Sequence, residues 1–170
     1  ECATDFTWSP QGYEPPTEAE RDAVYEAVRR CRRVSMRRAD LWLTLVMVRL
    51  EAILDTPNRL LTAAACHESA LGSPDVVGDG GRAVGALQVH PWAVQWCWKG
   101  EDYRESPGAS ARCLYRYLTE RALPRLIKRC GRVKGRDMRW IAWGHITAGR
   151  RKTGGYACNA EMDHEWEARR

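Results

Sequence analysis

Leu60-Leu61-Thr62-Ala63-Ala64-Ala65-Cys66-His67-Glu68-Ser69 governs how this chain is read, together with Gly85-Ala86-Leu87-Gln88, whose Gln88 lies twenty residues after Glu68. The first stretch is apolar at helical spacing until it delivers a single acid, and Leu61, Ala64 and Glu68 share one face. Gly72, Ser73 and Pro74 then stop the helix. A carboxyl on an apolar stripe is either paired with a cation or held where desolvation favours its neutral form. The first alternative is a salt-bridged glutamate near a helix end, met by Arg82 or another basic residue. The second is what general acid catalysis needs: a proton retained near neutral pH and donated to a leaving oxygen. The second stretch favours it, because Gly85 and Ala86 leave a wall without bulk and Gln88 offers both a donor and an acceptor.

Around that second stretch, residues 75–90 hold four of the fourteen glycines. Val76-Val77 ahead of Gly78-Asp79-Gly80-Gly81 reads as a short β-hairpin flap. Gly78-x-Gly80-x-x-Ala83, with Glu101 and Asp102 about twenty residues on, mimics a dinucleotide fingerprint. That motif must open a helix, and Gln88-Val89-His90-Pro91 breaks one. Upstream, residues 1–16 form an irregular arm and Thr17 opens a capping box with Glu20. A helix is expected over 18–34, with Ala23, Val24, Ala27, Val28 and Cys31 on its stripe. A second, over 37–54, is apolar nearly all round and is expected to be the central buried helix. Thr56-Pro57 is read as the start of the third. Downstream, helices are expected from Pro91 to Trp98, from Ser106-Pro107 to about Ala122, from Pro124 to Cys130, and over 138–148. A tail that is helical from about 160 closes the chain. The expected class is predominantly α, a helical bundle with a small β-hairpin flap beside a groove. It forms one domain over 17–170, with a functional core at about 56–150.

Composition narrows the partners. The 170 residues are 44% hydrophobic and 29% charged, enough for one sizeable core. Eight Trp and six Tyr stand against one Phe, and Trp and Tyr suit both core packing and sugar stacking. Trp92, Trp96 and Trp98 follow the Gln88 segment directly. Twenty-seven Lys and Arg against twenty-two Asp and Glu leave a net charge of +5. The pairs Arg29-Arg30, Arg32-Arg33 and Arg37-Arg38 are either solvated helix faces or a polyanion patch. The seven cysteines form no Cys-x-x-Cys pair, and Cys158 and His164 are too isolated for a metal site. Dispersed cysteines point to disulfides in an oxidising compartment, periplasmic or extracellular, with connectivity open and at least one thiol left unpaired or paired between chains. The longest apolar run, Leu41 to Val48, is too short to span a bilayer. A start at Glu1 rather than Met fits a leader already removed or a trimmed chain.

On Glu68-Ser69, Gly78-Asp79 with Gly81, Gly85-Ala86-Leu87-Gln88-Val89 and, more weakly, Ala148-Gly149, the chain resembles the lysozyme superfamily. It is most similar to the lytic transglycosylase (SLT-type) and goose-type lysozyme branch. The matching pieces span roughly residues 60–150; the first fifty residues match only as generic helices. The resemblance implies an α+β lysozyme-like fold and cleavage of the peptidoglycan bond between N-acetylmuramic acid and N-acetylglucosamine. In it Glu68 is the catalytic acid, and Ser69, Gly85, Gln88, His90 and Thr147 line the glycan site. It implies no metal, no organic cofactor and no nucleic-acid partner. A transglycosylase would use Glu68 twice, first as acid and then as base while the sugar's own C6 hydroxyl closes an anhydro ring. A hydrolase needs a second carboxylate for water, with inverting pairs set roughly 6.5–9.5 Å apart; Asp79 is the first candidate and Asp75 a poorer one, and the competing reading of Asp79 is an Asp-Gly turn residue. Three departures stand out: Leu87 where the family often has Met, Ile146-Thr147 where it has a tyrosine-asparagine pair, and His90 where the goose-type branch has Asp. The supporting tyrosine is left among Tyr115, Tyr117 and Tyr156. A glycan-binding module without activity and an Arg-rich nucleic-acid binder are the readings from other classes.

Overall fold

A computed structural model of the chain describes residues 14–54, 56, 59–72, 87–89, 95–97, 106–132, 134, 138, 139 and 142. Helix α1 (Glu18–Arg30) begins where the sequence says it should: the Thr17 hydroxyl accepts from the Glu20 amide at 3.1 Å, and the Glu20 carboxylate accepts from the Thr17 amide at 3.0 Å. Arg49 of the next helix grips both oxygens of that carboxylate, at 3.0 and 3.2 Å, and also donates to the carbonyls of Glu14 and Pro15. The Arg49 contact holds the Glu20 carboxyl below its ordinary pKa. One capping residue thus fixes both a helix start and the entry of the chain.

Helix α2 (Leu41–Ile53) starts later than the expected residue 37. Residues 36–38 form a turn, with the amides of Arg38 and Ala39 bonded to the Ser35 carbonyl. Asp40 then caps the helix by accepting from the Leu43 amide at 3.0 Å. Helix α3 (Leu60–Ser69) starts at residue 60, not at Pro57. Arg59, left-handed at φ 72°, precedes it without a side-chain cap of its own, and the Thr56 hydroxyl turns back to the Glu51 carbonyl instead. Helix α2 packs against α1, α3 and α4 (Pro107–Tyr117). All-round burial, expected for α2, belongs to α3. Ala63, Ala64, Ala65 and Cys66 have no exposed surface, whereas α2 shows Ala52 and Ile53 to solvent. Small side chains let α2 pack closely against α3.

Helix α4 is capped by Ser106, whose hydroxyl accepts from the Ala109 amide, with Pro107 opening it as the sequence indicates. The sequence reads as two separate helices from here, yet α4 passes without a break through a π turn (Leu118–Ala122) into α5 (Leu123–Cys130). The cause is Pro124, which has no amide to bond the Glu120 carbonyl and whose ring crowds it. Widening the preceding turn relieves both: the Leu123 amide bonds the Leu118 carbonyl five residues back. Among the described residues the chain is predominantly α with no strand. The hairpin flap expected over 75–90 lies almost wholly outside them, apart from 87–89. Of the helix expected over 91–98, residues 95–97 are described, as a short 3₁₀ turn and a bend. Of the one over 138–148, Met138, Arg139 and Ala142 are helical, and Met138 and Ala142 are buried.

Disulfides join Cys31 to Cys66, with Cα atoms 5.6 Å apart, and Cys97 to Cys113, at 4.3 Å. Cys130 is disulfide-bonded as well. These bonds fit the oxidising environment expected from the cysteine count. No helix among the described residues is long and apolar enough to cross a membrane.

Candidate functional site

The last turn of α3 carries His67, Glu68 and Ser69, and it is held from three directions. Cys66 is bonded to Cys31 just past the end of α1. The Arg33 guanidinium donates to the His67 carbonyl, supplying positive charge at the carbonyl end of the helix. The Leu71 carbonyl accepts from the Asp40 amide at 2.9 Å, so the end of α3 is also tied to the start of α2. The reversal uses three successive left-handed residues, Ala70, Leu71 and Gly72, at φ 48°, 54° and 74°. Such backbone costs Ala and Leu about 1–3 kcal/mol each and persists only where surrounding contacts determine it. Gly72 is required twice over, since a Cβ there would lie 2.9 Å from Leu43 Cδ1 and 3.0 Å from Asp40 Cβ.

Within this frame Glu68 is half-buried while its neighbour Ser69 is buried. The Ser69 hydroxyl donates to the Ala65 carbonyl and accepts from the Gly72 amide, at 3.1 and 3.0 Å. Its observed work is to close the helix end beneath Glu68. Gln88 is half-buried between Leu87 and Val89, which are buried, and it too is left-handed, at φ 50°. Leu87 and Val89 belong to the same hydrophobic cluster as Leu61, Ala64, Ala65 and Leu71. The core therefore anchors the acid's helix and the glutamine's segment together. Asp79, Gly85, His90 and Thr147 lie outside the described residues, as do Tyr156, Trp92 and Trp98. Tyr115 and Tyr117 are half-buried on α4, and Trp96 meets Tyr117 edge-on at 5.6 Å between ring centroids. The described residues hold no cluster of three or more potential metal ligands.

One acid that pattern reading passes over is Glu51, inside the apolar stretch Leu41–Leu54. It is 8% exposed, and its Oε1 accepts from the Thr62 amide at 2.8 Å and the Thr62 hydroxyl at 3.1 Å. The amides of Arg59 and Leu61 also bond the carboxylate, so Glu51 caps α3 from a neighbouring helix. Burial nonetheless pushes its pKa up to about 7, and these hydrogen bonds only partly oppose the shift. Glu51 lines a cavity of about 490 Å³ between α1, α2 and the start of α3, walled by Ala19, Ala23, Ala27, Val48 and Ala52. Its rim acids are arginine-paired: Glu20 with Arg49 at 3.0 Å, and Glu26 with both Arg30 and Arg59 at 2.8 Å. The signal for Glu51 is present in the sequence, namely one carboxylate in the most hydrophobic helix. The chain thus has two distinctive acids at opposite ends of α3. Glu51 is committed to the helix amides, and Glu68 sits where the backbone is strained. No protein-family model, curated protein or solved structure matches the chain.

Proposed function

We propose that this protein cleaves peptidoglycan glycan strands, with Glu68 as its single catalytic acid. The observation that carries the reading is the placement of Glu68: half-buried in the last turn of the most deeply buried helix, on a turn fixed by a disulfide, an arginine and left-handed backbone. A general acid needs that rigidity, because proton transfer depends on sub-ångström positioning of the donor. Gln88, anchored in the same core, would orient a sugar ring, with Gly85, His90 and Thr147 completing the glycan site. Ser69 would support the site from beneath.

The reaction proposed is lytic transglycosylation of the bond between N-acetylmuramic acid and N-acetylglucosamine. Glu68 gives its proton to the leaving glycosidic oxygen. The resulting carboxylate then takes the proton of the sugar's C6 hydroxyl as that oxygen closes on the anomeric carbon. One residue serves both steps, so no metal or organic cofactor enters the proposal. If Asp79 instead activates water, the proposed reaction becomes hydrolysis of the same bond. The disulfides support a periplasmic or extracellular setting for this activity. The test is product analysis on purified cell wall: anhydro ends are expected, reducing ends would convert the assignment to hydrolysis, and binding without cleavage would overturn it. Glu68→Gln should keep the fold and lose at least about 100-fold in rate, the contribution expected of one general acid.

A further inference from the structure

Helix α5 meets solvent with one sign of charge. Residues 121–134 contain Arg121, Arg125, Lys128, Arg129, Arg132 and Lys134 and no acid, a formal +6 against +5 for the whole chain. All six are exposed. Arg121, Arg125, Lys128 and Arg129 recur at three- and four-residue spacing, which brings them onto one side. Leu126 is buried on the other, and Leu123, Ile127 and Cys130 pack against the core. Glu120, the acid just before the stripe, is paired with Arg116 at 3.0 Å. Arg129 has an interaction of its own, whereas Arg121, Arg125, Lys128, Arg132 and Lys134 form no hydrogen bond or ion pair among the described residues. Like charges at this spacing destabilise a helix, and interleaved acids would remove that cost from a face built only for solubility. Helix α1 does interleave them, with Glu26 meeting Arg30 and Glu20 meeting Arg49. Attraction to the carbonyl end of α5 accounts for Lys128 and Arg129 in its last turn, and not for Arg121 or Arg125.

We propose that this face of α5 and the turn after it, Arg121 to Lys134, dock a linear phosphodiester polymer of the cell envelope, a polyol-phosphate chain. The proposal goes beyond the reading of Glu68 and does not require it. Guanidinium forks match phosphate oxygens in pairs, and a row of cations along one narrow face suits a chain of singly charged groups. Two features separate this occupant from other polyanions. Residues 118–134 hold no aromatic side chain on which a nucleic-acid base could stack. Leu123, Leu126 and Ile127 are engaged with the core rather than left to enter a lipid layer. The disulfides fit an oxidising setting, where envelope polymers lie.

The test measures binding of the full chain to soluble poly(glycerol phosphate) over a range of salt. Arg121→Gln with Arg125→Gln removes two cations while keeping side chains that favour a helix. Exposed ion pairs contribute modestly, so affinity should fall about three- to tenfold. The slope of log K against log salt should flatten by about 1.4, from about 0.7 per cation on a single-stranded polyanion. Arg121→Lys with Arg125→Lys should retain most of the affinity. Arg21→Gln with Arg37→Gln, which removes the same charge from exposed positions elsewhere, should leave it nearly unchanged. No binding by the parent, unchanged binding by the Arg121 and Arg125 glutamine pair, or an equal loss in the Arg21 and Arg37 pair would overturn the proposal. So would tighter binding, at the same salt, to duplex DNA or to phosphatidylglycerol vesicles. Absence of cell-wall cleavage by the parent protein would count against the Glu68 reading alone.

Discussion

Replacing Glu51 by Gln should stabilise the protein relative to the parent by an amount that grows as pH rises from about 4.5 to about 7 and levels off above that. In the folded chain the carboxyl is 8% exposed and titrates near pH 7, against 4.5 for an ordinary glutamate. Burial is the dominant cause; the amides of Arg59, Leu61 and Thr62 and the Thr62 hydroxyl pull the other way without winning. Because the folded pKa is the higher one, the fold binds the proton more tightly than the unfolded chain does. Stability from this group is complete below about pH 4.5 and is lost as pH rises through about 7. The shift corresponds to about 3 kcal/mol once both states are ionised. A glutamine side chain there would retain an oxygen for the Thr62 amide but could not ionise. Any penalty for its extra amide hydrogens would be the same at every pH, so the slope is diagnostic. Urea unfolding with disulfides intact should show the variant gaining about 3 kcal/mol on the parent between about pH 4.5 and about pH 8.5. Stability curves that run parallel across that range would defeat this account. The other charges facing Glu51, namely Glu20 and Glu26 from α1 and Arg59 before α3, are unchanged in the variant.

The two acids should also separate by activity: Glu51→Gln keeps cell-wall cleavage in a turbidity assay, whereas Glu68→Gln loses it. Gly72→Ala combines left-handed backbone with a Cβ 2.9 Å from Leu43 Cδ1, and should cost about 2–4 kcal/mol by urea unfolding. Opening the Cys31–Cys66 bond by a double Ser substitution releases a 35-residue separation. It should cost about 3–4 kcal/mol, with a larger fractional loss of glycan cleavage than an equally destabilising change in α5. Peptide mapping under non-reducing conditions should recover Cys31–Cys66, Cys97–Cys113 and a third bond from Cys130 to Cys2 or Cys158.

The features legible in the sequence are local ones. The Thr17–Glu20 box and the Ser106-Pro107 start each depend on side chains within three residues of the amides they satisfy, so spacing alone reveals them. The start of α3 is misplaced by pattern because its cap is not local: Glu51 reaches across from α2, and Thr56 is left to bond backward. The π turn escapes because Pro124 reads as a helix break, and only neighbouring packing decides whether a chain stops or widens there. Disulfide pairing is illegible for the same reason, since Cys31 and Cys66 meet only once α1 and α3 have docked. At the candidate site, Glu68 is visible as an acid ending an apolar stripe. The backbone strain beneath it and the arginine clamp beside it belong to tertiary contacts that no periodicity records.

The widened turn at Leu118–Ala122 also sets the phase of α5. Each residue in an α-helix advances the face by about 100°, and the extra one here rotates α5 relative to the line of α4. In that orientation Leu126 meets the core while Arg125, Lys128 and Arg129 face solvent. Deleting one residue from the segment would restore ordinary hydrogen bonding locally and swing the cationic side of α5 towards the interior. Chain length at this spot is therefore under a constraint that the identity of any single side chain would not disclose.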